Sequence, residues 1–176
     1  AMPKLGCETI SQVQDKVLHQ PESFHVLLDF LTVPVSEMFR DPRYFRSLRE
    51  SVVPLLRTYP SLKVWVAGCS TGEEAYSLAI FFTQECPELQ HWRIRIIGTD
   101  INPHFLRRAR QGVYREWSFR NAPPTLRSRY FSALGDDRFE LCGAIKQRVT
   151  FEHLNLADES YPSLHNGTNG VDLIFC

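Results

Sequence analysis

The spacing of apolar residues divides the chain into two parts. In the first, residues 9–20 and 22–31 have the three- and four-residue spacing of short helices. Asp41 followed by Pro42 predicts the N-cap and first position of a longer helix, which we expect to run to about Thr58. This part of the chain is therefore predicted to be helical.

In the second part, short apolar runs alternate with helical patterns. Residues 63–67 and 93–97 predict buried strands, and each is followed by a helix, over residues 73 to about 85 and 102 to about 111. This order is typical of a parallel sheet with crossover helices. Residues 171–175 predict one more buried strand.

Between these elements we predict a helix over residues 123–132 and then a small antiparallel hairpin. The strands of the hairpin are residues 138–141 and 146–151, joined around Gly143. We assign the hairpin to a β-hairpin subdomain over residues 136–150.

The predicted fold class is α/β, with a doubly wound parallel sheet. The chain stops directly after the last strand, with no helix to cover it, and such sheets usually have more strands than the four or so predicted here. We therefore expect a chain that is truncated at its C-terminus. We expect a residual N-terminal helical segment over residues 1–31 and a partial domain over residues 32–176.

Composition narrows the classes of function. Apolar residues make up 43% of the 176 residues, and 20 Lys and Arg balance 20 Asp and Glu. The balance argues against a nucleic-acid partner bound by bulk charge. No apolar run approaches the ~20 residues that cross a bilayer, so we expect no membrane insertion.

The cysteines are scattered along the chain, and no two have the Cys-x-x-Cys spacing of a zinc or redox site. We therefore predict no metal site, and reduced thiols in a cytoplasm fit best. Cys69 is expected to be a packed small residue rather than a nucleophile. The five cysteines are Cys7, Cys69, Cys86, Cys142 and Cys176.

One stretch is locally basic, with Glu116 as its single acid. It is either a solvated helical face or a docking surface for an acidic partner. Its arginines are Arg107, Arg108, Arg110, Arg115, Arg120, Arg127 and Arg129.

Candidate chemistry lies in the turn after the first strand, where residues 68–74 are Gly-Cys-Ser-Thr-Gly-Glu-Glu. Ligands of doubly wound sheets bind at the carboxyl ends of strands, beside helix N-termini. Gly68 and Gly72 let a ligand approach the backbone. Glu73 and Glu74 would repel a phosphate but suit the ammonium of S-adenosylmethionine, although acids here also favour a helix N-terminus.

Asp100 ends the second strand, at the same edge of the sheet. Its carboxylate can accept both hydroxyls of an adenosine ribose, or it can cap the helix that begins near Asn102. Together with the glycine turn, it points to a nucleoside ligand.

Four blocks of sequence resemble the CheR family, the methyltransferases that esterify glutamate side chains on bacterial chemotaxis receptors. They occur in the family's order from about Leu31 to Cys176. The resemblance implies a class I, Rossmann-like methyltransferase fold that uses S-adenosylmethionine. The blocks are residues 32–42, residues 64–79 with Gly-Cys-Ser-Thr-Gly-Glu-Glu, Gly-Thr-Asp-Ile-Asn at 98–102, and Val-Asp-Leu-Ile-Phe-Cys at 171–176.

The resemblance implies roles for three residues at the amino-acid end of the cofactor. Ser36 and Arg40 match the residues at its carboxylate, and Glu74 matches the acid at its ammonium. Arg40 is also the candidate catalytic residue, because it lies where the family's arginine orients the acceptor carboxylate. Without the resemblance, Arg40 is equally a partner for Asp41 or Glu37.

The resemblance also implies residues for the nucleoside end. Gly68 belongs to the cofactor loop, Asp100 matches the acid at the ribose, and Asn155 with Leu156 matches the pair beside the adenine. From the sequence alone, Asn155 is equally a turn residue at a strand end.

Members of the family dock an acidic helical bundle through a basic helix, and some hold a receptor tail on a small β-subdomain. Arg107, Arg110 and Arg115 fall at a comparable place and are the candidate docking residues. Two departures are Pro34, where the family usually has asparagine, and Met38, which replaces the first of two usual phenylalanines.

The expected reaction is direct displacement, in which a glutamate carboxylate of a receptor cytoplasmic domain attacks the methyl group of the sulfonium. A carboxylate is ionised at neutral pH, so no strong general base is needed. Two alternatives stay open: a related methyltransferase that acts on another signalling protein, and a non-catalytic module that binds S-adenosylmethionine.

Overall fold

A computed structural model describes residues 2–56, 61–84, 86–89 and 91–176. Short π-helical and 3-10 turns cover Leu48–Val52, Pro87–Leu89 and Glu116–Phe119. The strands are Ser61–Ala67 (β1), Arg93–Asp100 (β2), Val113–Arg115 (β3), Phe131–Gly135 (β4), Arg138–Leu141 (β5), Val149–His153 (β6) and Leu173–Phe175 (β7). The helices are Met2–Leu5 (α1), Ile10–His19 (α2), Pro21–Leu31 (α3), Pro42–Ser47 (α4), Val53–Leu56 (α5), Glu73–Gln84 (α6), Pro103–Gln111 (α7), Pro124–Tyr130 (α8) and Gly143–Lys146 (α9).

The main sheet of the described chain has four parallel strands in the order β6-β2-β1-β7. β1 and β2 pair in register from Ser61 with Arg93 to Ala67 with Thr99, and α6 connects them. Most residues of β1 and of α6 are buried, because both elements consist largely of apolar residues. The predicted α/β class with a parallel sheet is confirmed.

The predicted hairpin is wrong in its pairing. β5 pairs with β4 on one side and β3 on the other, in a separate antiparallel sheet of order β3-β5-β4. Asp136 and Asp137, with φ of 50° and 54°, form the tight turn between β4 and β5. Residues 149–153 instead join β2 in the main sheet, where Val149 and Phe151 are buried.

Several element ends differ from prediction. The helix expected over residues 123–132 ends at Tyr130, because the chain turns into β4 at Phe131. The last strand is shorter than predicted and covers Leu173–Phe175. The helix ends expected near Thr58 and residue 85 lie outside the described residues.

The helices α2 and α3 lie within one residue of the predicted ranges 9–20 and 22–31. Thr9 and Gln12 form a capping box at the start of α2. α3 contacts the start of α7, where the Asn102 side-chain amide donates to Asp29 at 3.0 Å and to Thr32 at 3.0 Å. His104 lies 3.2 Å from the second oxygen of Asp29. This contact places the end of α3 near the carboxyl edge of the main sheet.

Candidate functional site

The glycine turn after β1 is attached to the end of β2. The Cys69 amide donates to the Thr99 carbonyl at 2.8 Å, and the Ser70 amide donates to one Asp100 carboxylate oxygen at 2.8 Å. The other oxygen of Asp100 accepts the Asn102 amide at 2.8 Å. Asp100 is only 9% exposed, so it holds the turn against the sheet edge.

Asp100 is not the N-cap of α7. That position belongs to Asn102, whose side-chain oxygen accepts the His104 amide at 2.8 Å. The interpretation of Asp100 as the cap of this helix is therefore wrong. Each of its oxygens accepts one amide and keeps a second lone pair, so the carboxylate can still accept hydroxyl donors.

Two glycines of the turn meet different surroundings. Gly72 has φ of 90°, and a Cβ there would lie 2.9 Å from the Ala109 Cβ and 3.0 Å from the Phe151 ring. Gly68 has φ of 69°, and a Cβ there would meet no atom within 4 Å. Gly72 is thus required by packing, whereas Gly68 leaves open space beside the backbone.

Glu73 and Glu74, at the start of α6, have different surroundings. Glu73 is buried, and its carboxylate accepts the Thr71 hydroxyl at 2.6 Å and the Ser118 hydroxyl at 3.1 Å. Glu74 lines a cavity, and burial raises the pKa of its carboxyl while the positive charge of Arg40 partly offsets that shift. The Glu73 carboxylate therefore stabilises the fold through its hydrogen bonds, and the Glu74 carboxylate is available to a ligand.

The cavity beside Glu74 has a volume of about 400 Å³. Arg40 also lines it, and its guanidinium donates to the Val35 carbonyl at 3.3 Å without pairing with Glu74. Tyr44 is a further lining residue, and burial with the Glu74 charge raises the pKa of its hydroxyl, which therefore stays protonated. A carboxylate, a guanidinium and a phenol thus face one space.

The turn that carries Arg40 is held by distant residues. Phe39 has φ of 55°, a costly conformation for an aromatic residue, and its amide donates to the Ser77 hydroxyl at 3.0 Å. The preceding amide, of Met38, donates to the Ser118 carbonyl at 2.7 Å. These contacts were missed from the sequence, since the partners are far along the chain and serine and phenylalanine carry no distinguishing pattern there.

The same turn is held by an ion pair between the buried Glu37 and the exposed Arg120. The Glu37 carboxylate lies 2.6 Å from the Arg120 guanidinium and accepts the Asn121 side-chain amide at 3.0 Å. Glu37 therefore has its own arginine. The sequence alternative in which Glu37 pairs with Arg40 is not what the structure has.

The remaining predicted cofactor residues lie in two places. Ser36 is half-buried and is not among the described residues that line the cavity beside Glu74. The Asn155 side chain accepts the Ala157 amide at 3.1 Å and donates to Asp158 at 2.9 Å, which makes it a turn residue. Leu156 is 39% exposed.

That turn is joined to the ribose candidate. The Leu154 amide donates to the Asp100 carbonyl at 3.1 Å, immediately before Asn155 and Leu156. The turn after β6 and the end of β2 therefore lie side by side at the carboxyl edge of the sheet.

The candidate docking arginines do not form one helical face. Arg107 lies on α7 beside His104, Arg115 ends β3, and the Arg110 guanidinium donates to the Phe151 carbonyl on the edge strand β6. The basic stretch therefore spans the helices α7 and α8, the strand β3 and the end of a 3-10 turn, and part of its charge is used inside the fold.

Three further observations concern a reactive cysteine, a metal site and a membrane span. Burial, and then the charge of Asp100, raises the pKa of the Cys69 thiol far from that of a reactive cysteine. Among the described residues, no group of three or more His, Cys, Asp or Glu side chains could hold a metal ion. Within the same ranges, no helix has the length and apolar character to cross a membrane.

Comparison with known proteins identifies the family. A family model described as "CheR methyltransferase, SAM binding domain" matches residues 34–176. The chain belongs to this CheR family. Membership confirms the predicted family and fold class, and it gives S-adenosylmethionine as the methyl donor of this domain.

Curated proteins similar to this CheR domain have names that agree with the family assignment. "Putative methyltransferase Cher3" of Pseudomonas putida is 45% identical over 168 residues, which cover 91% of this chain and 60% of that protein. "Chemotaxis protein methyltransferase" of Borreliella burgdorferi is 32% identical over 85% of this chain and 54% of its own length. "Chemotaxis protein methyltransferase 2" of Vibrio cholerae is also 32% identical, over 88% of this chain and 54% of its own length. The chain thus spans at most 60% of the length of these three relatives.

Proposed function

We propose that this chain provides the cofactor half of a methyltransferase that esterifies glutamate side chains on the cytoplasmic domains of chemotaxis receptors. One observation carries the proposal: Glu74 and Arg40 line one cavity without pairing with each other. Two opposite charges kept apart in a cleft match the ammonium and the carboxylate of an α-amino acid. S-adenosylmethionine ends in such a group.

At the amino-acid end, Glu74 accepts the ammonium and Arg40 donates to the carboxylate. Tyr44 adds a neutral hydroxyl beside Glu74, and the ordered Phe39 turn holds Arg40 in place. Ser36 is assigned to the same carboxylate, and that assignment rests on the family resemblance.

At the nucleoside end, Asp100 accepts ribose hydroxyls through the lone pairs that its two amide donors leave free. Asn155 and Leu156 lie beside it and contact the adenine, Leu156 through its exposed apolar surface. Gly68 allows close approach, because nothing occupies the space where its Cβ would be.

The bound cofactor supplies a methyl group on a sulfonium. The acceptor is a glutamate carboxylate, which is already ionised at neutral pH and needs no base. Arg40 orients that carboxylate and balances its charge, so catalysis depends on positioning and electrostatics. This reaction needs no nucleophilic side chain from the enzyme, and the buried Cys69 thiol, whose pKa is raised, is not such a nucleophile.

A chemotaxis receptor is proposed as the acceptor because two of the relatives are named chemotaxis protein methyltransferases. Arg107, Arg110 and Arg115 are proposed to dock it, with Arg110 the weakest candidate because its guanidinium already bonds to β6. A different signalling protein as acceptor, or a module that binds S-adenosylmethionine without catalysis, remains the alternative.

We also propose that residues 1–31 form a helical segment attached to a domain over residues 32–176. The support is the Asp29 contact with Asn102 and His104. A cytoplasmic location is part of the same proposal, since Cys7, Cys69, Cys86, Cys142 and Cys176 are all free thiols.

Calorimetry with S-adenosylhomocysteine tests the cofactor half directly on this chain. We expect 1:1 binding that is weakened in Glu74→Gln and unchanged in Glu50→Gln, at an exposed acid of the π-helical turn. Equal affinity of wild type and Glu74→Gln would contradict the proposed cavity.

Methyl transfer tests the acceptor. The chain is incubated with methyl-labelled S-adenosylmethionine and a purified receptor cytoplasmic domain, and base-labile methanol is counted. Esterification predicts release of volatile label after base treatment. Label that stays on the protein after base would exclude a carboxylate acceptor, and no transfer despite cofactor binding would favour the non-catalytic alternative.

A further inference from the structure

The cavity beside Glu74 continues into a groove. A second cavity of about 350 Å³ shares Phe39, Pro42 and Phe45 with it. A third, of about 50 Å³, shares Phe39 and Phe81 with the second. The three cavities follow one side of α6, from Glu74 past Phe81 towards its C-terminal end.

One wall of this groove carries a row of arginines. They recur every three residues, at Arg40, Arg43, Arg46 and Arg49, along the turn before α4, α4 itself and the π-helical turn after it. The first two line the cavity beside Glu74, and the last two line the second cavity. Three-residue spacing keeps successive side chains on neighbouring positions of a helix.

The charge of this row is only partly neutralised. Arg49 pairs with Glu88, and the Arg43 guanidinium lies 3.6 Å from Asp41 while remaining almost fully exposed. Arg46 is exposed and has no ion pair or hydrogen bond among the described residues. The wall therefore presents a net positive charge to the groove.

Apart from the arginines, the lining of the second cavity is largely apolar. Phe45 and Phe81 are buried, Phe39 is half-buried, and Pro42 and Pro123 are exposed. A row of arginines beside aromatic side chains fits a peptide with acidic side chains on one stripe and apolar side chains on the next.

We propose that this groove receives the acceptor segment of the methylated protein, an acidic peptide with apolar side chains at helical spacing. The inference rests on the proposed function, because a glutamate acceptor must reach the cavity shared by Glu74 and Arg40. The groove opens directly from that cavity, whereas Arg107, Arg110 and Arg115 are absent from the residues that line it within the described chain.

The test is binding of a fluorescently labelled synthetic peptide with glutamates and leucines on adjacent helical stripes, measured by anisotropy. We expect the double variant Arg43→Glu/Arg46→Glu to raise its Kd about tenfold, since each reversal turns an attraction into a repulsion. The matched control is Arg93→Glu/Arg95→Glu, at exposed positions near the amino end of β2, and it should bind as wild type does. A peptide with glutamine in place of glutamate should bind more weakly.

Three results would overturn the groove proposal. Equal weakening by both double variants would show that the peptide responds to the overall charge of the protein and not to the groove. Failure of the wild type to bind the peptide would show that the groove does not receive an acidic peptide of this kind. Loss of binding only in Arg107→Glu/Arg115→Glu would place the docking surface at α7 and β3. Calorimetry with S-adenosylhomocysteine on the single variant Arg46→Glu, whose side chain lines the second cavity and not the cavity beside Glu74, should give wild-type affinity. If wild type itself binds no S-adenosylhomocysteine, the proposed function fails, and the peptide result still decides the groove independently.

Discussion

On the strand side of the site, most polar groups of residues 69–73 bond within the turn, to the end of β2, or to Tyr114 and Ser118. The exception is the buried Ser70 hydroxyl, which has no hydrogen-bond partner among the described residues. On the helix side, Glu74, Arg40 and Tyr44 face an open cavity and have few partners. Glu73 and Glu74 are neighbours in the sequence, and only the structure assigns them to different regions. A group whose bonds are complete inside the protein contributes stability, whereas a group left without partners in a cleft is available for a ligand.

The glycines of the strand side give the largest expected effect. Gly72→Ala should destabilise the fold by about 3 kcal/mol, from a left-handed backbone and a forced contact with Ala109 and Phe151. Gly68→Ala has the same kind of backbone but open space, so it should cost about 1 kcal/mol. Urea denaturation of the two variants measures the difference, and equal losses would show that packing at Gly72 is unimportant.

The ion pair beneath the Phe39 turn should give the next largest effect. Arg120→Ala leaves the Glu37 carboxylate, 6% exposed, with only the Asn121 amide, and we expect a loss of about 2 kcal/mol. S-adenosylhomocysteine affinity should fall as well, because the turn that carries Arg40 loses its support.

A double variant checks that the cost comes from the stranded charge. Glu37→Gln/Arg120→Ala removes the uncompensated carboxylate and should be more stable than Arg120→Ala alone. Additive losses in the thermal denaturation of the single and double variants would mean that the two side chains do not depend on each other.

The neighbouring acids compare the two regions most directly. Glu73→Gln should cost about 1.5 kcal/mol of stability, because it disturbs the bonds from Thr71 and Ser118. Glu74→Gln should not lower stability at neutral pH, since burial already disfavours its charge, but the Kd of S-adenosylhomocysteine should rise roughly 10- to 100-fold. Denaturation and calorimetry on the same two proteins test both halves, and a ligand effect confined to Glu73→Gln would reverse the assignment.

Local patterns in the sequence sufficed for the order of β1, α6, β2 and α7, because each element has its own periodicity and caps. They also found the glycine turn, whereas the choice of Glu74 over Glu73 as the ammonium partner came from the family resemblance and stays a prediction. The β4–β5 hairpin was missed because two aspartates supply its positive-φ turn, where glycine or asparagine is the usual signal.

The contacts that make the site are harder to predict, because they join distant parts of the chain. Ser118 bonds to Glu73, and Arg120 bonds to Glu37, across loops that no local pattern connects. The strand at residues 149–153 was misassigned for the same reason, since its partner β2 lies in another part of the sequence. The spacing of apolar residues along the sequence predicts helices and strands. Contacts between distant parts of the chain determine which polar side chains keep no partner and can bind a ligand.

The pH dependence of binding should give the smallest and most specific effect. Glu74 must be ionised to hold the ammonium, and burial raises its pKa above the ordinary glutamate value. As the solution is acidified, affinity for S-adenosylhomocysteine should therefore begin to fall at a higher pH than an exposed glutamate would cause. The ligand keeps its ammonium and carboxylate charged over that range, so calorimetry at several pH values reports on the protein.

Stability should change in the opposite direction, and this provides the control. A carboxyl whose pKa is raised in the folded state stabilises that state at pH below the unfolded pKa, and the contribution is lost as the pH rises through the folded pKa. Glu74→Gln has no such group, so its melting temperature relative to wild type should increase from acidic to neutral pH. A difference that stays constant with pH would mean that Glu74 is not buried as the cavity requires, and its role as the ammonium partner would lose its physical basis.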